Sequence, residues 1–439
     1  MIDHRKAVLA AILSGCSLLP SVGLAQGGNA SDPATSQIGL QDIIVTAQKK
    51  EESLQMVPVA VTALDKGKLE NLQVQNFNDL AGLAPNLTAV NSGSGSNPIV
   101  TLRGIVGGNV EPGRDNGVAM YLDGVYIPRT TGAQFDVADL ERVEILRGPQ
   151  GTLYGRNSTG GAINYITAAP KGKLYARQEV TVGNLGLLRT KTRIDLPKFG
   201  AFSVSGTFLH EERNGYVRNV EAGRVWDFSQ LPGGFLNGTR RSVKRLGDRN
   251  AESLLASVRY APESIPLTVD YKFDWTDAQY SNLPKQVLLD LATGFPRTIP
   301  ATTTRLDAIA MGFTTPEHLK VFGHNLTITL DLSDEVQFKS ITGYRGFTDQ
   351  YSADVAGGGF ENYSPAPGRS YHEVLGIVAH ERDRSFSQEV QLSYRSDIID
   401  AIAGLYYFKQ HTRTLNPLFA RQFLSPPNLP NPANVTDAD

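Results

Sequence analysis

The spacing of hydrophobic positions divides this chain into three stretches. From residue 174 onward, apolar and polar residues alternate with a period of two, which predicts strands with one greasy and one polar face. The clearest run is 266–276, where Leu267, Val269, Tyr271, Phe273 and Trp275 alternate with Thr268, Asp270, Lys272, Asp274 and Thr276. Leu326/Ile328/Leu330/Leu332, Phe202/Val204/Gly206/Phe208 and Val390/Leu392/Tyr394 repeat the pattern, giving roughly nine strands. Tight connections at 261–266 and 332–335 contrast with long ones at 214–252 and 282–323. Short turns at one end and long loops at the other describe a transmembrane antiparallel β-barrel, apolar towards lipid and polar towards its lumen. Trp275, Tyr344, Tyr394, Tyr406, Tyr407 and Phe408 suit its aromatic girdles. Between Leu54 and Ala169, strand-like pieces mix with a helical spacing of Phe77, Leu80, Ala81 and Ala84, which predicts a compact α+β unit. Residues 26–41 are polar and too poor in apolar side chains to fold. Within the leader of residues 26–53 that they begin, Asp42, Ile43, Ile44, Val45, Thr46 and Ala47 form a short β-prone run with no strand partner of its own. Such a run invites pairing with another protein's sheet edge.

Composition narrows the function. Forty-two Lys and Arg against 44 Asp and Glu leave a net charge of -2, so no overall field exists to hold a nucleic acid. The single cysteine, Cys16, excludes a disulfide framework and multi-cysteine metal sites. His4, Arg5 and Lys6 followed by apolar residues 7–19 and the small residues Gly23 and Ala25 read as an export signal over 1–25. The run Leu13-Ser14-Gly15-Cys16 leaves open a lipobox, in which Cys16 would be acylated. Enzyme signatures are missing. His210-Glu211-Glu212 and His372-Glu373 lack a second His four residues on, no Gly-x-Ser-x-Gly occurs, and no Gly-Lys-Ser/Thr follows Gly151 and Gly155. His372 and His380, placed in a loop beside Tyr363 and Tyr371, are the nearest approach to a metal-chelate contact.

Three stretches carry a resemblance. Residues 42–47 look like a TonB box. Thr101-Leu102-Arg103-Gly104-Ile105, Tyr121-Leu122-Asp123-Gly124-Val125-Tyr126, and the long run from Val143 through Arg147-Gly148-Pro149-Gln150-Gly151 to Gly155, with Gly160-Gly161-Ala162-Ile163-Asn164, resemble the plug of TonB-dependent outer-membrane receptors. The resemblance implies a plug over 54–169 inside the first part of a barrel over 170–439, 22-stranded when complete. It further implies active uptake of a scarce solute, a ferric siderophore or similar metal chelate, powered through TonB with ExbB and ExbD. Cobalamin, oligosaccharides and aromatic compounds are alternative solutes; no cofactor or resident metal is implied. Arg103 and Arg147 are expected to lock the plug onto the barrel through Glu389. Asn91, Asn97, Asn109, Arg114, Asp115 and Asn116 are expected on solute-contacting loops. A 22-stranded barrel requires some 500 residues after the plug, whereas about 270 follow Ala169, so a fragment of a longer receptor is expected. The short leader disfavours a signal-transducing receptor, and the plug opposes a passive porin.

Overall fold

The computed structural model describes residues 43–50, 52–91, 95–107, 115–133, 139–227, 239–286, 302–311, 315–354, 360–362, 371–415 and 418–424. The export signal, Cys16, Asp42, Asn109, Arg114 and Tyr363 lie outside them.

The first element among the described residues is a hairpin of β1 (Ile44–Val45) and β2 (Glu52–Ser53). The plug follows, built from β3 (Val61–Asp65), α1 (Lys66–Asn71), β4 (Leu87–Asn91), β5 (Pro98–Leu102), β6 (Ile105–Gly107), β7 (Val118–Leu122), β8 (Val125–Ile127), β9 (Leu140–Arg147), α2 (Gly151–Tyr154) and β10 (Gly161–Thr167). Its main sheet runs β3-β9-β10-β7-β8, with β10 parallel to β7 and the other pairs antiparallel; β4-β5-β6 form a second sheet. Every residue of β7 and β8 is buried, the continuous apolar pattern of strands covered on both faces. The helical spacing near Phe77 is realised as a single 3-10 turn, Phe77–Leu80, capped by Asn76 and Asp79. The longer helix is α1, six residues capped by Asp65, whose side chain accepts from the Lys68 N–H. Gly161 fits because its φ is +145° and a Cβ there would meet the Leu146 carbonyl oxygen at 2.1 Å.

The wall begins with β11 (Tyr175–Gly183), β12 (Leu187–Asp195) and β13 (Phe202–Arg213). Short ladders follow in the long connection: β14 (Val217–Asn219), β15 (Val225–Asp227), β16 (Thr239–Arg241) and β17 (Arg245–Leu246). Then come β18 (Arg249–Tyr260), β19 (Leu267–Tyr280), β20 (Ala308–Ile309), β21 (Thr315–Asp331), β22 (Val336–Asp354), β23 (Phe360–Asn362), β24 (Tyr371–Arg395), β25 (Asp400–Leu415) and β26 (Leu418–Leu424). The sheet runs β11-β12-β13-β18-β19-β21-β22-β24 in unbroken antiparallel order, and both β25 and β26 pair with β24. Many of these strands exceed the 9–11 residues that cross a bilayer, and β24 reaches 25. Consequently β21 starts at Thr315, inside the connection expected over 282–323, and His372 and His380 stand on β24 rather than in a loop.

Alternation sets the two faces. Lys272, Asp274, Asn325, Arg345, Glu381 and Glu389 point towards the plug or bond along the inner face, so Tyr271, Phe273, Tyr344, Phe386, Leu392, Tyr394 and Tyr407 point away. Several of these outward apolar residues are substantially exposed, among them Leu392 at 48% and Tyr407 at 57%. Tyr406 and Phe408 fall on the other face. Phe408 packs edge-on against Tyr126 of the plug at 5.5 Å, so these two are not girdle residues.

Candidate functional site

The hairpin at residues 43–53 forms the most closely knit site on the plug. The β-prone run does have a partner, because β1 pairs back onto β2 of its own chain. Val45 and Ala47 are sealed off at 0% and 1% exposure against Tyr121, Leu146, Tyr154 and Ala162. Between them, Thr46 reaches a carboxylate on β9 of the plug's main sheet: its N–H donates to Glu144 Oε1 at 2.7 Å, and its hydroxyl lies 3.1 Å from both oxygens. Glu144 is fully buried and costs free energy unless paired. Arg142 Nε at 2.8 Å and Asn164 Nδ2 at 3.4 Å complete its shell. The Tyr154 hydroxyl donates to the Thr46 carbonyl at 3.3 Å and accepts from Asn164 Nδ2 at 2.8 Å. Burial pushes the Tyr154 and Tyr121 hydroxyls far up from their ordinary range, so both remain protonated donors.

Two lysines fasten the hairpin to the wall. Lys49 pairs with Glu389 at 3.2 Å while lying over the rings of Tyr121 and Tyr154 at 5.1 and 4.9 Å. Lys50 pairs with Asp400 at 2.6 Å and with Glu52 at 2.7 Å. Glu389 is therefore a plug–wall contact, but its partner is Lys49. Arg103, at φ +53° beside Gly104, turns its guanidinium back towards Gly148 of the plug. Arg147 Nε is buried with no hydrogen bond, and neither arginine makes an ion pair among the described residues. Among the described contacts Glu389 pairs with Lys49 rather than with Arg103 or Arg147, and the Arg103 guanidinium stays beside Gly148 of the plug.

Other side chains hold the plug. Lys272 donates to Asp123 at 2.9 Å and to the Thr167 hydroxyl at 2.6 Å, while Asn325 donates to the Asp123 carbonyl at 3.0 Å. Arg129 pairs with Glu381 at 2.7 Å. The Gly95 and Ser96 N–H groups donate to Glu317 at 2.9 and 3.2 Å, and the Ser96 hydroxyl donates to Asp349 at 2.7 Å. Asp139 gathers Lys66 at 2.8 Å and Arg193, which also holds Asp195 of the wall. Burial works to raise the Asp139 pKa, but hydrogen bonds from Lys66 and Arg193 and the charge of Lys191 leave it below the ordinary range.

The expected solute-contact residues separate. Asn91 lines a cavity of about 800 Å³ between the plug and β11–β13, with Asn78 Nδ2 donating to it at 3.1 Å. Asn97 is buried, and Asn116 is buried with its amide donating to the Pro128 carbonyl. Asp115 stays exposed, in an ion pair with Arg156 at 3.1 Å. No group of three or more His, Cys, Asp or Glu arranged to hold a metal occurs among the described residues.

Residues 53–162 match the family model of the TonB-dependent receptor plug domain. This chain therefore carries a TonB-dependent receptor plug domain. The pesticin receptor of Yersinia pestis is 30% identical over 231 residues, which cover 52% of this chain and 31% of that relative. The vitamin B12 transporter BtuB of Vibrio vulnificus is 31% identical over 132 residues, covering 29% and 20%. The matches thus take in less than a third of these curated relatives' lengths. The solved ferric yersiniabactin uptake receptor FyuA of Yersinia pestis superposes with a TM-score of 0.57 at 17% identity, covering 84% of this chain and 60% of that one. FpvAI, in its complex with pyocin S2, gives 0.62 at 12% identity, covering 85% and 45%. The fold of a plug seated in a TonB-dependent receptor wall is therefore shared.

Two residues that matter here were not singled out from the sequence. Glu144 carried a signal, a carboxylate inside the apolar run Val143-Glu144-Ile145-Leu146, where an unpaired charge has no place. Lys49 carried none beyond standing in a charged flank.

Proposed function

We propose that this chain is the energy-coupled front part of an outer-membrane receptor that takes up a scarce solute, in chemical class a ferric siderophore or similar metal chelate. The observation that carries the reading is the docked run at 43–47. An extended segment is held against β9 of the plug by one carboxylate and two small apolar side chains. Releasing it exposes a strand edge of β-prone sequence, the shape on which a partner's strand adds by main-chain hydrogen bonds. That partner is the C-terminal domain of TonB, acting with ExbB and ExbD, and residues 42–47 are the TonB box. Because the box leads directly into the plug, a pull on it loads Glu144 and then β9, which lies between β3 and the central strand β10 of the plug sheet. The outward apolar face of β18–β25 rests in outer-membrane lipid, and the hairpin faces the periplasm.

The siderophore class is supported by the fold shared with FyuA and by identity to the pesticin receptor, whereas BtuB favours cobalamin as the second solute. Growth of an iron-starved, receptor-deleted strain complemented with the native gene, scored over ferric hydroxamates, catecholates, mixed chelates and cobalamin, distinguishes them. Growth on one ferric chelate, abolished by collapsing the proton gradient, is the expected result. Growth on cobalamin alone supports the second reading, and rescue that survives loss of TonB contradicts both.

A further inference from the structure

We propose that the inner wall at the mouth end of β12, β13 and β18 holds a binding site for a free carboxylate of the solute, with Arg213 as its main donor. The proposal rests on the uptake reading above and narrows the solute to anionic, carboxylate-bearing ferric chelates.

Three guanidinium groups meet there. Register sets Arg189 of β12 opposite Glu211 of β13, and Arg213 of β13 opposite Arg249 of β18. Directly opposite and alternate residues share a face of a sheet, and all four side chains line the cavity of about 800 Å³ beside Asn91. Glu211 is buried and serves two of the arginines: Oε2 lies 3.2 Å from Arg189 Nε, and Oε1 lies 3.4 Å from Arg249 Nε. Arg249 also lies over the ring of Tyr280 at 5.7 Å. Arg213 differs from both. Its Nη2 donates to the Gly247 carbonyl at 3.2 Å, its Nε is buried without an acceptor, and it has no ion pair among the described residues. The other carboxylates lining the cavity are engaged: Glu70 and Glu179 by Arg177, Asp139 by Lys66 and Arg193, Asp79 by the Gln75 and Asn76 amides, and Asp248 by the Ser281 N–H.

A buried guanidinium donor left without an acceptor costs free energy, so the site favours an acceptor that arrives from outside. Glu211 shows which acceptor fits, because a carboxylate already bridges two of the three neighbouring guanidinium groups. A planar carboxylate takes two parallel N–H bonds from an arginine fork, and Arg213 presents the next fork in the row. On the facing plug, Asn78 Oδ1 is likewise buried without a donor and lines the same cavity, which suits a hydroxyl or amide N–H of the same solute. The cavity is of the size that small-molecule sites have. Its place fits as well. The Arg213–Arg249 pair closes the β13–β18 ladder at the end remote from the short 261–266 connection, which is the mouth of a barrel whose short turns are periplasmic. An anionic chelate entering from outside meets this end of the cavity first. A neutral chelate leaves the Arg213 donor unpaired and gains nothing from the row.

The test is equilibrium binding of radiolabelled ferric citrate, a carboxylate-type chelate, to the full-length receptor in detergent. Wild type, Arg213→Gln and Arg213→Lys are compared, each checked for heat-modifiable mobility. The wild type is expected to bind, with Kd rising at least about tenfold in Arg213→Gln and partly recovering in Arg213→Lys, which keeps the charge but not the fork. A second arm uses the wild type alone and holds even if the variants fail to fold. Iron-free citrate is expected to displace the label, whereas its neutral triethyl ester and inorganic phosphate at the same concentration are not. Failure of the wild type to bind ferric citrate, displacement by the ester or by phosphate as effective as that by citrate, or an unchanged Kd in Arg213→Gln overturns the proposal. TonB-dependent uptake of a neutral ferric trihydroxamate in place of ferric citrate also overturns it while leaving the transport reading intact. Arg213-dependent binding without any TonB-dependent uptake leaves the site standing and speaks against the transport reading instead.

Discussion

Replacing Glu144 by Gln keeps the shape of the latch under residue 46 and removes its charge. In the native protein the carboxylate receives the Thr46 N–H at 2.7 Å, the Thr46 hydroxyl and Arg142 Nε, all in a fully buried position. Hydrogen bonds to a charged group contribute about 1.5–3 kcal/mol, and neutral ones about 0.5–1.5. The substitution therefore weakens docking of the 43–47 run by roughly 1.5 kcal/mol, a shift of about tenfold in its open-to-docked ratio. Hydrogen–deuterium exchange on the full-length receptor reads this directly. The Thr46 and Lys49 amides, which are bonded in the docked hairpin, are expected to exchange about tenfold faster. Amides of the fully buried Ile145 and Ile163 should stay unchanged. Unchanged exchange at Thr46, or faster exchange throughout the plug sheet, refutes the claim that Glu144 is a local latch.

Three further outcomes follow from the contacts. Lys272→Met removes the pairing with Asp123 and Thr167 and is expected to lower plug stability by about 1–3 kcal/mol, seen as a lower urea midpoint for plug unfolding; an unmoved midpoint contradicts its role. Gly161→Ala forces a Cβ into the Leu146 carbonyl at positive φ and is expected to cost several kcal/mol, about 3 or more, so that little folded receptor accumulates; normal levels contradict the packing. The Asp139 carboxyl, held below its ordinary range by Lys66, Arg193 and Lys191 after the opposing effect of burial, stabilises the plug fully above the unfolded pKa of about 4. That contribution is lost as pH falls through the lower folded value. Protease protection of the plug is expected to drop below about pH 4 in the wild type, with Asp139→Asn less protected at neutral pH and flatter in its response.

The wall was legible because its chemistry repeats. Strict alternation in 267–275 and 326–332 fixes both the strand and its two faces, and the observed register keeps Lys272 and Asp274 inward as that alternation requires. The plug was legible through long motifs whose turns need particular residues, such as the Asp123-Gly124 turn at φ +48° and +82°. The contacts between plug and wall were not. Lys49 and Glu389 stand 340 positions apart, and their meeting depends on how the plug is rotated inside the wall, which no local period encodes. Arg103 occupies a tight turn at positive φ that brings its guanidinium beside Gly148 of the plug, a placement visible only once φ is known. Helix α1 escaped notice because six residues containing Gly67 carry too few turns to show a period. Tyr406 and Phe408 alternate with the same spacing as girdle residues, and only register against β24 shows that they face the plug.

Uptake and binding measured together on one variant test the central claim most directly. Val45→Pro in the full-length receptor removes the N–H of a residue in the extended run and breaks its capacity to pair with an added strand. Binding of the labelled solute to intact cells is expected to remain at the wild-type level while energy-dependent accumulation falls to the level of a strain lacking TonB. Accumulation at the wild-type rate contradicts the account, since the 42–47 run then carries no pull.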